Sequence, residues 1–281
     1  MATQPEKAAA FRALHERPGA FIIPNPWDAG TAKLLTWLGF EALATTSLGL
    51  ANSLGRVDGT LTVSRAEVLA NCRAICDATH LPVNADLENG YADDPRAAAE
   101  IIRLGAEAGI VGGSIEDATG NSANPVYEFG LAVERVHAAV EVARSLPFPF
   151  VLTARAENMI QGRTDLDDTI RRLQAYEKVG ADVLYAPGLR DIATIRTVTS
   201  SVTKPVNVVM THGDPSLTLE DLAAAGVKRV SVGGSLNRLA LAAFLNGARE
   251  MKEKGGFTWM RDTVPSREIK PIFSSSTSSR A

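Results

Sequence analysis

Residues 81–91 read LPVNADLENGY, and this stretch decides the architecture. It opens on the apolar run Leu81, Pro82 and Val83 and ends in Asp86, Glu88 and Asn89 before Gly90. An apolar start suits a strand buried in a parallel sheet. Asp86 and Glu88 stand two apart, so on a strand both point the same way. Two like charges side by side cost energy unless something positive lies between them. A hard divalent cation with oxygen ligands fits that place. Residues 113–117, GSIED, form a second acidic strand end. A third, residues 151–158, VLTARAEN, adds Arg155 and Glu157. Charged groups collected at successive strand ends mark an active site rather than a packed core.

Working outward, strands are expected at residues 21–24, 42–47, within 81–91, 110–115, 148–154, 181–185, 205–210 and 229–232. Helices alternate with them, after a leading helix at 4–16. Asp28 and Ser64 stand as caps, and Asp94-Pro95 opens the helix after the acidic stretch. Residues 49–60 read as a Gly-containing loop that carries Asp58. Eight short strands alternating with helices give a (β/α)8 TIM barrel. A doubly wound open sheet fits less well, because no GxGxxG follows the first strand. The barrel is assigned to residues 1–255, and 256–281 to a C-terminal extension with a disordered Ser-rich end.

The chain has 281 residues, is 45% hydrophobic and carries a formal charge of −3, which fits one barrel-sized domain. The near-neutral balance gives no electrostatic footprint for nucleic acid. No apolar run spans a bilayer, and the N-terminus lacks a signal-peptide core. Cys72 and Cys76, the two cysteines, share a helix face and read as buried free thiols. A reducing, cytoplasmic setting is the expectation.

In a barrel, the active site lies where the strands end. Asp86, Glu88, Glu116 and Asp58 make an oxygen-rich cage, and Mg²⁺ takes one or two carboxylates directly and keeps waters for the rest. Asn25, Asp28, Thr46, Ser47, Tyr185, Asn207 and Ser235 fall on the same face. Asp94 and Asp117 read at least as well as helix caps or partners of surface bases as they do as members of the site. Arg155 follows an apolar strand, where an unpaired cation is costly. Its fork suits a substrate carboxylate, or an ion pair with Glu116 or Glu157. Gly233-Gly234 could seat a phosphate or simply allow close packing. His212 reads as a solvated loop histidine.

These residues resemble the isocitrate lyase/phosphoenolpyruvate mutase superfamily. Four stretches carry the resemblance: WDA at 27–29 with AKLL at 32–35, ADLENGY at 85–91, GSIED at 113–117 and TARAE at 153–157. The resemblance implies an Mg²⁺-dependent enzyme, with Mn²⁺ as a substitute, acting on 2-oxo or 2-hydroxy carboxylates. Members make or break a C–C or P–C bond through an enolate. By position, Asp86 resembles the direct metal ligand, and Asp58, Glu88 and Glu116 the water-mediated ones. Thr46, Ser47 and Leu48 lie where the substrate carboxylate binds, and Arg155 where the substrate binds. Asn207 is added as a substrate contact, and Asp58, Arg155 and Tyr185 as the catalytic set. The family's swapped last helix implies a homodimer or homotetramer.

The chain departs from the family pattern at Glu88, Ser47 and Ala156-Glu157. The larger departure is the loop after Glu116. Residues 118–124 read ATGNSAN, with none of the Lys, Cys or His that the lyase and phosphonate branches use there. The metal–enolate half of the mechanism survives, which suffices for decarboxylation. Retro-aldol cleavage needs another base, for which Tyr185 or a metal-bound water is the candidate. The alternatives are phosphonopyruvate mutase- or hydrolase-like chemistry, a catalytically degenerate dicarboxylate-binding barrel, and a phosphate-ester enzyme built on Gly233-Gly234.

Asp58 lies between Gly55 and Gly59 in a segment able to close over a ligand. Asp58→Ala is expected to cut turnover by about ten- to a hundredfold and to weaken Mg²⁺ binding. Metal-free melting should barely change. A variant that loses melting temperature but keeps metal affinity and rate would remove Asp58 from the site.

Overall fold

The computed structural model describes residues 2–211 and 214–274. His212 and all but the first residue of the Ser-rich end lie outside the described residues. The strands are β1 (Phe21–Ile23), β2 (Leu43–Ala44), β3 (Val83–Asp86), β4 (Gly112–Glu116), β5 (Val151–Arg155), β6 (Val183–Tyr185), β7 (Val206–Val209) and β8 (Arg229–Ser231). The helices are α1 (Gln4–Glu16), α2 (Ala29–Trp37), α3 (Ser47–Ser53), α4 (Arg65–Ala78), α5 (Pro95–Glu107), α6 (Phe129–Ser145), α7 (Leu166–Lys178), α8 (Ile192–Ser200), α9 (Leu219–Ala224), α10 (Ser235–Lys254) and α11 (Ser266–Ser274).

All strand pairs are parallel, in the order β1-β8-β7-β6-β5-β4-β3-β2, which is the (β/α)8 barrel expected. The seam between β1 and β2 is held differently from the other joins. The Ala44 N–H donates to the Pro24 carbonyl at 3.0 Å. The buried Asn25 amide then joins three strand ends. Its Nδ2 donates to the Thr45 carbonyl at 3.0 Å, and its Oδ1 accepts from the Val232 and Gly233 N–H groups at 3.0 and 2.9 Å.

Helices start where side chains take up the free N–H groups of the first turn. Thr3, Asp28, Ser64, Asp94 and Thr218 each do so. The main core lies between the strands and the outer helices; the stripe Ala98, Ile101, Ile102 and Gly105 of α5 shows the pattern. A second core fills the lower half of the barrel. There Ala8, Phe11 and Leu14 of α1 pack on Phe21, Ile23, Ala44, Val151 and Val183, so α1 plugs the bottom. His15 sits in the plug with its ring edge-on to Phe11 and Phe21, centroids 4.8 and 5.1 Å apart. Its Nδ1 faces the Phe11 carbonyl at 2.8 Å, so Nδ1 carries the proton; Nε2 is left to accept from Arg229, 3.4 Å away.

Two features differ from the sequence expectation. Residues 47–53 form α3 rather than loop, because Thr46 caps it and Gly49 lets it lie against Trp27; a Cβ there would come within 2.7 Å of the Trp27 Cβ. Strand β2 is correspondingly short, Leu43–Ala44. In the C-terminal extension, α11 returns to pack on α2, burying Ile272. Along α10, Leu239 and Phe244 stand uncovered, 66% and 71% exposed. Cys72 and Cys76 are buried and free. Among the described residues, no helix is long and apolar enough to cross a membrane.

Asn25→Ala removes the amide that joins β1, β2 and β8. Leaving its buried partners unmatched costs about 2–4 kcal/mol, read as a lower urea midpoint at unchanged slope; an unmoved midpoint would show that the seam does not depend on it. Burial, with Arg229 beside it, pushes the His15 imidazole down to about 3. The unfolded chain protonates this histidine near pH 6.5 and the folded chain does not. Its contribution to stability is therefore complete above about pH 6.5 and lost as pH falls toward 3. The unfolding free energy of wild type minus that of His15→Gln should shrink over this window. A difference that does not change with pH would refute the assignment.

Candidate active site

The polar strand ends meet at the top of the barrel. Register sets Glu116 opposite Arg155 and Arg155 opposite Tyr185, so β4, β5 and β6 present their last residues side by side. Asp86 ends β3, and its N–H donates to Thr45 Oγ1 at 2.9 Å. Arg155 sits among the acids. It reaches Asp86 Oδ1 at 2.9 Å, Glu116 Oε2 at 3.1 Å and Glu157 Oε1 at 2.8 Å, and its guanidinium lies 4.9 Å from the Tyr185 ring centroid. Both ion pairs considered from the sequence are present, and the pair with Asp86 is an addition.

Glu88 is not on the strand. Its φ of 46° is left-handed, Tyr91 follows at φ 60°, and Gly90 between them packs so tightly that a Cβ would lie 2.7 Å from the Ala98 carbonyl oxygen. The pleat therefore does not align Asp86 with Glu88. The turn brings Glu88 back beside Asp86, where its carboxylate accepts from the Tyr91 hydroxyl at 3.0 Å.

Asp117 is neither a cap nor a surface partner. It is buried, accepting from the Glu157 N–H at 2.7 Å, the Arg172 guanidinium at 2.9 Å and the Tyr176 hydroxyl at 2.7 Å. It thereby fixes the backbone that carries Glu157, and through Glu157 the orientation of Arg155. Asp94 is a cap, accepting from the Ala97 N–H. Asp28 caps α2, and Ser235 donates to Thr211 Oγ1.

Asp58 arrives from the loop after α3, half-buried, hydrogen-bonded to the Ser47 side chain and the Gly59 N–H. The Ser47 N–H also donates to Asp86 Oδ2 at 3.3 Å. Thr46 Oγ1 accepts from the Gly49 N–H at 3.3 Å. Leu48 lies against Gly234, where a Cβ would come within 2.4 Å of its Cδ2. That contact, with Asn25 occupying the Val232 and Gly233 N–H groups, accounts for the glycine pair by packing. Asn207 is buried on the floor, donating to Ser231 Oγ at 3.1 Å and accepting from Arg229 Nε at 2.8 Å.

A cavity of about 160 Å³ runs from Ser47, Asp58, Asp86, Arg155 and Tyr185 at the mouth down to Asn207 and Arg229. Arg229 was not singled out from the sequence. The signal was the one that exposed Arg155, an arginine on an apolar strand, here at its start. The loop after Glu116 is pinned by an antiparallel bridge between Ala118 and Val126, and residues 118–126 carry no titratable side chain.

Five acids gather around the Arg155 guanidinium. Burial, then the charge of Asp86, pushes Glu88 up to about 7. Burial pushes Glu157 up to about 6 against the pull of Arg155. Burial also raises Glu116 well above its ordinary value, and burial together with Asp86 raises Asp58. Burial pushes the Tyr185 phenol up, so it stays protonated. The mouth carries more negative charge than its arginine can balance.

Known proteins share this chain's sequence and fold. The Phosphoenolpyruvate phosphomutase family matches residues 11–252. A crystal structure from Burkholderia cenocepacia J2315, of a protein provisionally assigned as a lyase/mutase, is 58% identical with a TM-score of 0.94 over 97% of each chain. Phosphonopyruvate hydrolase in complex with oxalate and Mg²⁺ is 25% identical with a TM-score of 0.84, covering 95% of this chain and 94% of that one. Oxaloacetate decarboxylase of Ectopseudomonas mendocina (strain ymp) is 26% identical over 258 residues, 89% of this chain and 86% of that one. With the acidic strand ends at the mouth of a parallel barrel and a match over residues 11–252, the chain belongs to the phosphoenolpyruvate phosphomutase family, within the isocitrate lyase/PEP mutase superfamily of enzymes.

Proposed function

We propose that this protein is a divalent-metal-dependent lyase that cleaves a C–C bond in a small 2-oxo carboxylate, with oxaloacetate decarboxylation as the leading reaction. The observation that carries this reading is the surplus of buried carboxylates around Arg155, beside a loop that offers no acid or base. The donor set fits Mg²⁺ or Mn²⁺. Among the described residues, no three acids converge as a ready-made cage. Mg²⁺ does not ask for one, since it takes one or two carboxylates and keeps waters. Asp86 is the direct ligand in this reading, and Asp58, Glu88 and Glu116 hold its waters. The metal supplies polarisation of the 2-oxo oxygen and stabilisation of the enolate.

The remaining work falls to the chain. Arg155 supplies a planar cation for the substrate carboxylate. Ser47 and Leu48 form the wall beside it. Tyr185, kept neutral, is a hydrogen-bond donor and not a base, which favours decarboxylation over retro-aldol cleavage. Loss of CO₂ from C4 of oxaloacetate leaves its bonding electrons in the enolate of pyruvate, and one proton delivered to C3 completes the reaction. No base is consumed, in keeping with residues 118–126. The oxaloacetate decarboxylase relative and the oxalate and Mg²⁺ complex both support the reading.

Turnover of oxaloacetate, 2-methylisocitrate, dimethylmalate and phosphonopyruvate with Mg²⁺ or Mn²⁺, corrected for metal alone, tests it. Oxaloacetate should be consumed, chelation should abolish the rate, and Asp86→Ala should lower kcat/KM by about a thousandfold, roughly 4 kcal/mol. If no substrate turns over, or if Asp86→Ala matches wild type, the reading fails; dicarboxylate and metal binding without turnover would identify a degenerate barrel instead.

A further inference from the structure

Arg229 is 3% exposed and, among the described residues, has no carboxylate partner. Its side-chain contacts are with neutral groups: Nε donates to Asn207 Oδ1 at 2.8 Å, one terminal nitrogen to Thr153 Oγ1 at 3.0 Å, and the other faces His15 Nε2 at 3.4 Å. His15 cannot compensate the charge, since its Nδ1–H is committed to the Phe11 carbonyl. A buried cation without a counter-ion is expensive. Yet the chain has built a cradle for this one from three strands and a helix, at the floor of the cavity that opens at the active site.

A second observation lies on the same wall. Asn84, 4% exposed, lines the cavity and its Oδ1 has no hydrogen-bond partner. Its amide orientation can reverse, because among the described residues the hydrogen bond its Nδ2 makes is a long 3.5 Å approach to the Ala85 carbonyl. Ser114 and Ser231 add hydroxyls to this wall. Together they offer a guanidinium and rotatable neutral donors, and no acid.

We infer that the cavity floor is an anion subsite centred on Arg229, separate from the acidic mouth, for a carboxylate-sized monoanion. The anion is either the far carboxylate of a bound dicarboxylate or a free inorganic monoanion. The two sources share their chemistry and differ in what displaces them.

Bromide is the probe. Metal-free wild-type crystals soaked in sodium bromide should show an anomalous peak beside the Arg229 guanidinium, kept in Arg229→Lys and lost in Arg229→Met. At constant ionic strength, replacing gluconate by bromide should raise the wild-type melting temperature by about two degrees or more. Succinate in the soak separates the sources: displaced bromide assigns the floor to a ligand's far carboxylate, retained bromide to a free monoanion. Absence of a wild-type peak, a peak that survives in Arg229→Met, or equal melting in bromide and gluconate overturns the inference. The melting comparison needs no variant, so a misfolded Arg229→Met does not leave the question open. Neither readout uses metal or turnover, so this subsite and the lyase reading fail independently.

Discussion

The three ion pairs of Arg155 are the constraint on which the upper barrel depends. Asp86 and Glu116 end β3 and β4, Glu157 follows Arg155 just past the end of β5, and all three meet at one guanidinium. Charges taken out of water are tolerated only when each finds a well-placed partner. The arrangement is therefore cooperative: loss of the arginine would leave three partly buried carboxylates facing one another. Beneath it, Asp117 and Arg172 form a second buried pair that holds the Glu157 backbone, so the arginine is steadied from the helix layer as well as from the strands.

The rest of the fold makes this concentration of charge tolerable. The lower barrel and the helix–strand interface are filled with aliphatic and small side chains, which supply the burial that such a mouth opposes. Burial raises the carboxyl groups of Glu88, Glu157 and Glu116, with neighbouring carboxylates adding to the rise. Under the proposed lyase reading, this cost would be relieved when a divalent cation binds.

Much of this was legible in the sequence, and the exceptions have physical causes. Strand ends at Asp86, Glu116 and Arg155 could be read because apolar runs end abruptly in charge. The barrel followed from counting such runs. Glu88 was placed on the wrong backbone because a left-handed residue before Gly90 leaves no periodic signal. Helix α3 was missed because its glycine looks like a loop, whereas its role is close approach to Trp27. Asp117 was ambiguous because its partners, Arg172 and Tyr176, lie 55 and 59 residues farther along the chain, beyond α6 and β5, and pairing over that distance is invisible to spacing. Arg229 escaped for a similar reason, since its surroundings come from β5, β7 and α1.

Helix α1 has one more effect. By stopping the lower end of the barrel with Phe11 and His15, it turns a tube into a well with a single door. Whatever rests at the bottom of a well goes in first and comes out last. A small molecule or water beneath a bound ligand is held there until that ligand departs, so arrivals and departures run in a set sequence. That order would be imposed by a helix at the end of the barrel opposite the acidic strand ends.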